Sequence, residues 1–328
     1  MRQSASKELL ACHETFAQDV LEGLSRAPKS LPCKYFYDEE GSRLFRQITE
    51  LPEYYLTHCE FEILRNNRQE LASLLAGGPF NLVELGAGDG RKTRVLLEQF
   101  LDNGLDFRYA PIDICEAAVT DLIGNLKQSW GHLPCEGLAA EYFDGLRWLS
   151  ERKEQRNLVL FLGSNIGNFD QDGMRVFLRS VREALNEGDF LLIGFDLVKD
   201  IPLIEKAYND SQGITARFNL NLLQRINRDL GGNFQADRFR FFSRFGRSSG
   251  AVESYLISGR KQAVKIEQLN CSFFFEEGEP IHTERSQKYL ESEVVRLAQE
   301  TGFTVVRQMK DQQDYFLDSL WQAGTPGV

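Results

Sequence analysis

The sequence has no C-x-x-C pair: its six cysteines stand alone at 12, 33, 59, 115, 135 and 271. Cysteines scattered in this way argue against both a zinc ribbon and a disulfide framework. Histidine is scarcer still, with His13, His58, His132 and His282 showing no metal-ligand spacing, so no metal is expected. Positive charge is not in excess either. A net charge of −10 repels phosphate backbones and excludes a general nucleic-acid binder. Long apolar runs are missing: "FLLIGFDLV" is too short to span a bilayer and contains Asp196, and "MRQSASKELLACHETF" lacks the apolar segment of a signal peptide. We expect a cytoplasmic protein with no membrane partner, and a monomer. No internal repeat, low-complexity segment or Pro/Gly/Ser linker divides the 328 residues, a length that suits one large domain or two unequal ones.

What is present is apolar and ordered. Hydrophobic residues make up 42% of the chain, with 24 phenylalanines among them, which is enough for a real core. From about residue 60, helical and strand patterns alternate. "EFEILRNNRQELASLL" has helical periodicity, "FNLVELGAG" is a buried strand ending in glycines, "RKTRVLLEQFLDNG" a helix and "FRYAPIDIC" a strand. A helix ("AAVTDLIGNLKQSW"), a strand ("CEGLAAEYF"), a strand ("NLVLFLGSNIGNF"), a helix ("QDGMRVFLRSVREALNEG") and a strand ("DFLLIGFDLV") follow. Strands apolar throughout, alternating with amphipathic helices, predict a doubly wound parallel sheet covered on both faces. The rhythm breaks after Val198 and returns in "ESEVVRLAQETGF", "TVVRQMKD" and "YFLDSLWQAG". This predicts an α/β domain over 60–198 completed by 287–321, and a second domain from 1–59 and 199–286.

The first strand runs into "VELGAGDGRKT" (83–93). A dinucleotide loop needs G-x-G-x-x-G, whose third glycine lets the helix approach a pyrophosphate. Here Gly86, Gly88 and Gly90 give G-x-G-x-G, Arg91 fills the third-glycine position, and the acid Glu84 precedes the turn. That pattern predicts S-adenosylmethionine (SAM) and opposes NAD. An acid is then wanted at the end of the next strand for the ribose hydroxyls, and Asp113 stands there. One strand later Glu141 and Tyr142 offer an acceptor for the adenine amine and an aromatic wall. The candidate cofactor residues are Glu84, Gly86, Gly88, Lys92, Asp113, Glu141 and Tyr142. A simpler reading leaves Asp113 and Glu141 as polar strand ends.

After the fourth strand, nucleic-acid amine methyltransferases carry an N/D-P-P-Y type of turn. This chain has "GSNIGNF" (163–169), without the prolines or the aromatic that would stack on a flipped base. Its amides and carbonyls suit a small polar acceptor, with Gly163 and Asn168 placed to touch it. Asn168 or Asp170 can equally be the cap of the next helix.

Several long stretches then fall in order: "APKSLPCKYFYDEEGSRLFRQITELPEYY" (27–55), the SAM loop, "FLGSNIGNF", "DLVKD" (196–200), "AYND" (207–210), "FNLNLLQRINRDL" (218–230) and "TERSQKY" (283–289). Nearly the whole chain resembles the histidine-specific Nα-methyltransferases, which make hercynine, the trimethylated betaine of histidine on the route to ergothioneine. The resemblance implies a class I methyltransferase core, with a Rossmann-like doubly wound sheet. It also implies an acceptor domain built from the N-terminal segment and an insertion after the fifth strand. It implies that Asn168 and Tyr208 hold the carboxylate of L-histidine. Tyr37 and the carbonyl of Gly163 would face the α-amino group, and Tyr54, Glu284 and Ser286 would surround the imidazole. Each has a plainer alternative: Tyr37, Tyr54 and Tyr208 as packing residues, Glu284 as a surface ion-pair partner. Where some members place a methionine near the imidazole this chain has Ser254, which bears on how strictly histidine is selected. Two rivals remain, an Nα-methyltransferase for another amino acid or histidine-like metabolite and a SAM-binding scaffold without catalysis. The intact "TERS" and "GSNIGN" stretches argue against the scaffold.

Overall fold

Seven short segments with apolar side chains pair into one sheet. They are β1 (Phe80–Leu85), β2 (Phe107–Asp113), β3 (Leu138–Ala139), β4 (Arg156–Phe161), β5 (Phe190–Asp196), β6 (Phe303–Lys310) and β7 (Phe316–Ala323). The computed structural model describes residues 2–152 and 154–324. The order across the sheet is β6-β7-β5-β4-β1-β2-β3. The pairs β1/β2, β1/β4, β2/β3 and β4/β5 are parallel, and β7 runs antiparallel to both β5 and β6. Such a sheet is buried on both faces, and Val83, Leu85, Ile112, Phe161, Phe195, Leu317 and Trp321 form its core. Neighbouring connections leave β1 and β4 in opposite directions, so a crevice opens at their carboxyl ends.

Helices cover the sheet for local reasons that the helix Gln171–Ala184 illustrates. Asp170 accepts the Gly173 N–H at 2.7 Å as its N-cap, and Met174, Phe177, Leu178 and Val181 bury one stripe. No helix among the described residues is long and apolar enough to cross a membrane.

The chain divides into two compact units. One runs to Glu53 and resumes over Ile201–Ser248 and Val252–Arg285; the sheet unit comprises Tyr54–Asp200, Ser249–Ala251 and the residues from Ser286 on. These limits differ from the sequence reading at 54–59, 199–200, 249–251 and 286. The helix read from residue 60 begins at Tyr55, so its first turn belongs with the sheet. "CEGLAAEYF" differs too: only Leu138–Ala139 is strand, and Tyr142–Ser150 is a helix that buries Leu146 and Leu149.

The other unit is built on a second sheet, ordered Lys29–Ser30, Pro280–Gln287, Ala251–Ser258 and Phe239–Gly246, of which Ala251, Ser286 and Gln287 fall in the unit of the seven-stranded sheet. Its helix Ile214–Leu230 starts where the Asp210 carboxylate accepts the Ile214 and Thr215 N–H groups at 2.9 and 2.7 Å. It stops at Gly231, whose φ of 66° is the left-handed geometry of a helix end.

Candidate functional site

The glycine loop lies at the crevice. Gly86 and Gly88 have φ of 76° and 54°, which a side chain adopts only with strain. A Cβ on Gly86 would lie 3.1 Å from both the Tyr142 hydroxyl and the Asn165 amide, whereas one on Gly88 would meet open space. The loop is tied to β2: Gly86 N–H donates to the Ile112 carbonyl at 2.8 Å and Gly88 N–H to Asp113 Oδ2 at 2.8 Å. Cys115 N–H donates to Asp113 Oδ1 at 2.9 Å. Both Asp113 oxygens thus accept backbone bonds, and a carboxylate so held keeps capacity for a hydroxyl. Burial raises the pKa of this carboxyl, against the backbone bonds from Cys115 and Gly88. A bare-backbone cradle beside an oriented, half-buried carboxylate fits the ribose end of SAM.

Glu84 lies just before the glycine loop. Its side chain is 3% exposed, and it accepts Thr93 Oγ1 at 2.5 Å and the Tyr109 hydroxyl. Burial pushes its pKa up to about 7, against those two bonds. It therefore braces β1, β2 and the following helix beneath the loop. Lys92, second residue of the helix Arg91–Asp102, pairs with Glu60. Burial lowers the Lys92 pKa, but the negative charges of Glu60, Glu84 and Asp318 outweigh that and raise it. Glu141 is exposed immediately before the helix that Tyr142 begins.

The turn after β4 carries Gly163, with φ of 79°, and the short 3-10 segment Asn165–Asn168. Since Asp170 caps the next helix, the cap alternative for Asn168 falls away. Asn168 is half-buried on this turn. Also in the sheet unit, Tyr54 is buried ahead of its helix, and the buried Ser286 hydroxyl accepts from Lys288 Nζ at 2.8 Å.

In the other unit Tyr37 packs edge-on to Phe45 and Phe218, with ring centroids 5.4 and 5.6 Å away. Tyr208 is buried, and its carbonyl accepts from Ser243 Oγ at 3.1 Å. Glu284, half-buried, has Ser254 Oγ at 3.4 Å from its Oε2. Its strand is pinned by Thr283, whose hydroxyl contacts Asn219 Oδ1 at 2.8 Å and the Ser254 carbonyl at 3.2 Å. The neighbouring Arg285 meets Glu253 at 3.1 Å. Sequence reasoning missed Glu60, Asn165 and Lys288. Each looks like an ordinary polar residue in one dimension, and only long-range contacts reveal it.

A 3-2-1-4-5-7-6 sheet with its seventh strand reversed, a G-x-G-x-G loop after the first strand and an acid ending the second resemble the class I SAM-dependent methyltransferases. Residues 16–323 match the model described as histidine-specific methyltransferase, SAM-dependent, and the chain belongs to that family. It is 36% identical over 310 residues to a histidine N-alpha-methyltransferase of Mycobacterium tuberculosis, covering 94% of this chain and 95% of that protein. It is 37% identical over 289 residues to the enzyme of that name from Mycolicibacterium smegmatis, covering 88% and 89%. A 4-dimethylallyltryptophan N-methyltransferase of Claviceps purpurea is 28% identical over 210 residues, 61% of this chain and 60% of its own. The protein is a SAM-dependent N-methyltransferase that acts on a small molecule.

Asp113→Ala is expected to weaken SAM and S-adenosylhomocysteine alike, by about 1.5–3 kcal/mol for bonds to a charged acceptor. Calorimetric titration checks this; affinities equal to wild type would remove Asp113 from the site.

Proposed function

We propose that the protein methylates the α-amino group of L-histidine, up to three times, to give hercynine. The observation that carries this reading is the acid-and-hydroxyl pair Glu284 and Ser286 on one strand, in a chain of the histidine-specific family. Neutral imidazole presents one N–H and one bare nitrogen, so a carboxylate and a hydroxyl together read both and reject a plain aromatic ring. In this reading the sheet unit holds SAM and the other unit contributes acceptor-binding side chains.

Bound SAM supplies a methyl group on a sulfonium, ready for in-line displacement. The chain has to present an unprotonated amine at the right angle. Asn168 donates an amide N–H, and Tyr208 its hydroxyl, to the substrate's carboxylate. The Gly163 carbonyl accepts an N–H of the amine and Tyr37 orients it, the proton leaving to water or through the tyrosine. Tyr54 borders the imidazole, whose N–H goes to Glu284. Anchored at both ends, the amine gains methyl groups in place, and the trimethylated product has no lone pair left.

The test is to incubate the purified protein with SAM and each of the twenty amino acids and read mass gains of one, two or three methyl groups. Gains on histidine alone support the proposal, and gains only on another amino acid reject it. The likeness to a tryptophan-derivative methyltransferase favours one second reading, a larger aromatic amino acid as acceptor. A further expected outcome concerns Asn168→Ala. Losing one hydrogen bond to a charged carboxylate should raise KM for histidine about tenfold, while the SAM titration superimposes on wild type. Equal losses for both ligands would make Asn168 structural.

A further inference from the structure

A carboxylate with no solvent exposure is costly unless its oxygens are well used. Glu60, in the helix Tyr55–Leu75, is 0% exposed. Its two oxygens lie 2.7 and 3.0 Å from the Gly163 N–H, and one also pairs with Lys92 Nζ. The surroundings are shaped for it. Gly194 of β5 leaves the slot that Glu60 enters, since a Cβ there would come within 2.2 Å of Glu60 Oε1. A Cβ on Gly163 would come within 3.3 Å of Lys92 Nζ. Asp318 of β7, paired in register with Gly194, is fully buried beside this group. A buried ion pair adds little net stability once desolvation is counted, so stability alone is a poor reason for placing a glutamate here.

The pattern of contacts supplies another reason. Lys92 sits at the start of the helix that leaves the glycine loop, and Gly163 opens the turn proposed to meet the amine. Residues 60, 92 and 163 are far apart in sequence yet converge on one carboxylate. We propose that Glu60 is a positioning residue for methyl transfer, holding the cofactor-side helix and the acceptor-side turn at a fixed separation. This rests on the functional reading above. In-line displacement is sensitive to such spacing, and a displacement of about 1 Å can cost roughly a hundredfold in rate.

The experiment uses the full-length protein and Glu60→Gln, which keeps an oxygen for Gly163 and loses the charge that holds Lys92. S-adenosylhomocysteine affinity is measured by calorimetry, and kcat and KM with histidine by methyl transfer. The expected result is a kcat lower by about tenfold to a hundredfold with KM within about threefold, and S-adenosylhomocysteine bound several-fold more weakly. A merely structural glutamate lowers the melting temperature and leaves kcat and affinity alone. Should Glu60→Gln not fold, Glu60→Asp keeps the buried charge but draws it back from Gly163. It should show the same loss in kcat with cofactor affinity largely retained. A kcat within twofold of wild type in either folded variant overturns the inference. The binding arm needs no acceptor. If wild type failed to methylate histidine, the functional reading would fall by that result, and unchanged S-adenosylhomocysteine affinity in Glu60→Gln would separately overturn the role of Glu60.

Discussion

Asp196→Ala is expected to destabilise the sheet unit by about 3–5 kcal/mol, the cost of removing one partner from a buried charge cluster. Asp196 ends β5 with a side chain 0% exposed. It pairs with Lys199 and, at 2.8 Å, with Lys288, whose side chains are 5% and 0% exposed. The Tyr55 hydroxyl lies 2.9 Å from each of its oxygens and accepts from Lys199 Nζ at 2.9 Å. Burial already lowers the Lys199 pKa, and Asp196 opposes that shift. Alanine would leave two ammonium groups out of water with no carboxylate between them. All three tryptophans, at 130, 148 and 321, lie in the sheet unit, so intrinsic fluorescence during urea denaturation reports it selectively. The midpoint should fall strongly with little change in slope. Asp196→Asn, which keeps an oxygen for Tyr55, should fall less. Midpoints matching wild type in both variants would show that the cluster contributes no stability.

The cluster also shows where sequence reading stops. The sheet was legible because its strands are apolar on both faces, which leaves a continuous hydrophobic run in one dimension. The glycine loop was legible because spacing alone separates G-x-G-x-G from the dinucleotide pattern. Asp113 could be expected from its place at a strand end, and the structure shows the loop binding it through Gly88. The setting of Glu84 was not legible, because an acid beside a loop reads the same whether it is open to solvent or buried beneath the loop. Its contacts with Thr93 and Tyr109 show that it is buried. Tyr142 was read as strand because "CEGLAAEYF" is too short for periodicity to separate strand from helix start. The choice between Asn168 and Asp170 as helix cap was open in the sequence and is made by one hydrogen bond to Gly173. Glu60 was not legible at all. In an amphipathic helix it reads as a solvated charge, and its bond to Gly163 spans 103 residues.

The identity of the acceptor turns on Glu284, and Glu284→Ala is expected to cost histidine about 2–3 kcal/mol in kcat/KM, roughly thirty- to a hundredfold. A hydrogen bond from the imidazole N–H to a half-buried carboxylate distinguishes histidine from phenylalanine or leucine. An acceptor lacking that N–H would still desolvate the carboxylate but return no hydrogen bond to it. Removing Glu284 lifts that penalty, so the relative use of phenylalanine, whose ring has no N–H, should rise as the use of histidine falls. Ser254, 3.4 Å from Glu284, already occupies less volume than a longer apolar side chain would, which leaves room for a larger ring once the carboxylate is gone. A glutamate serving only as a surface ion-pair partner would change stability by about 0–1 kcal/mol and leave selectivity untouched. The deciding measurement is a competition between equimolar histidine and phenylalanine, wild type against variant, with the methylated products separated by mass. A ratio shifted toward phenylalanine places Glu284 against the acceptor's side chain. An unchanged ratio removes it from the site, and histidine recognition would then have to rest on other residues.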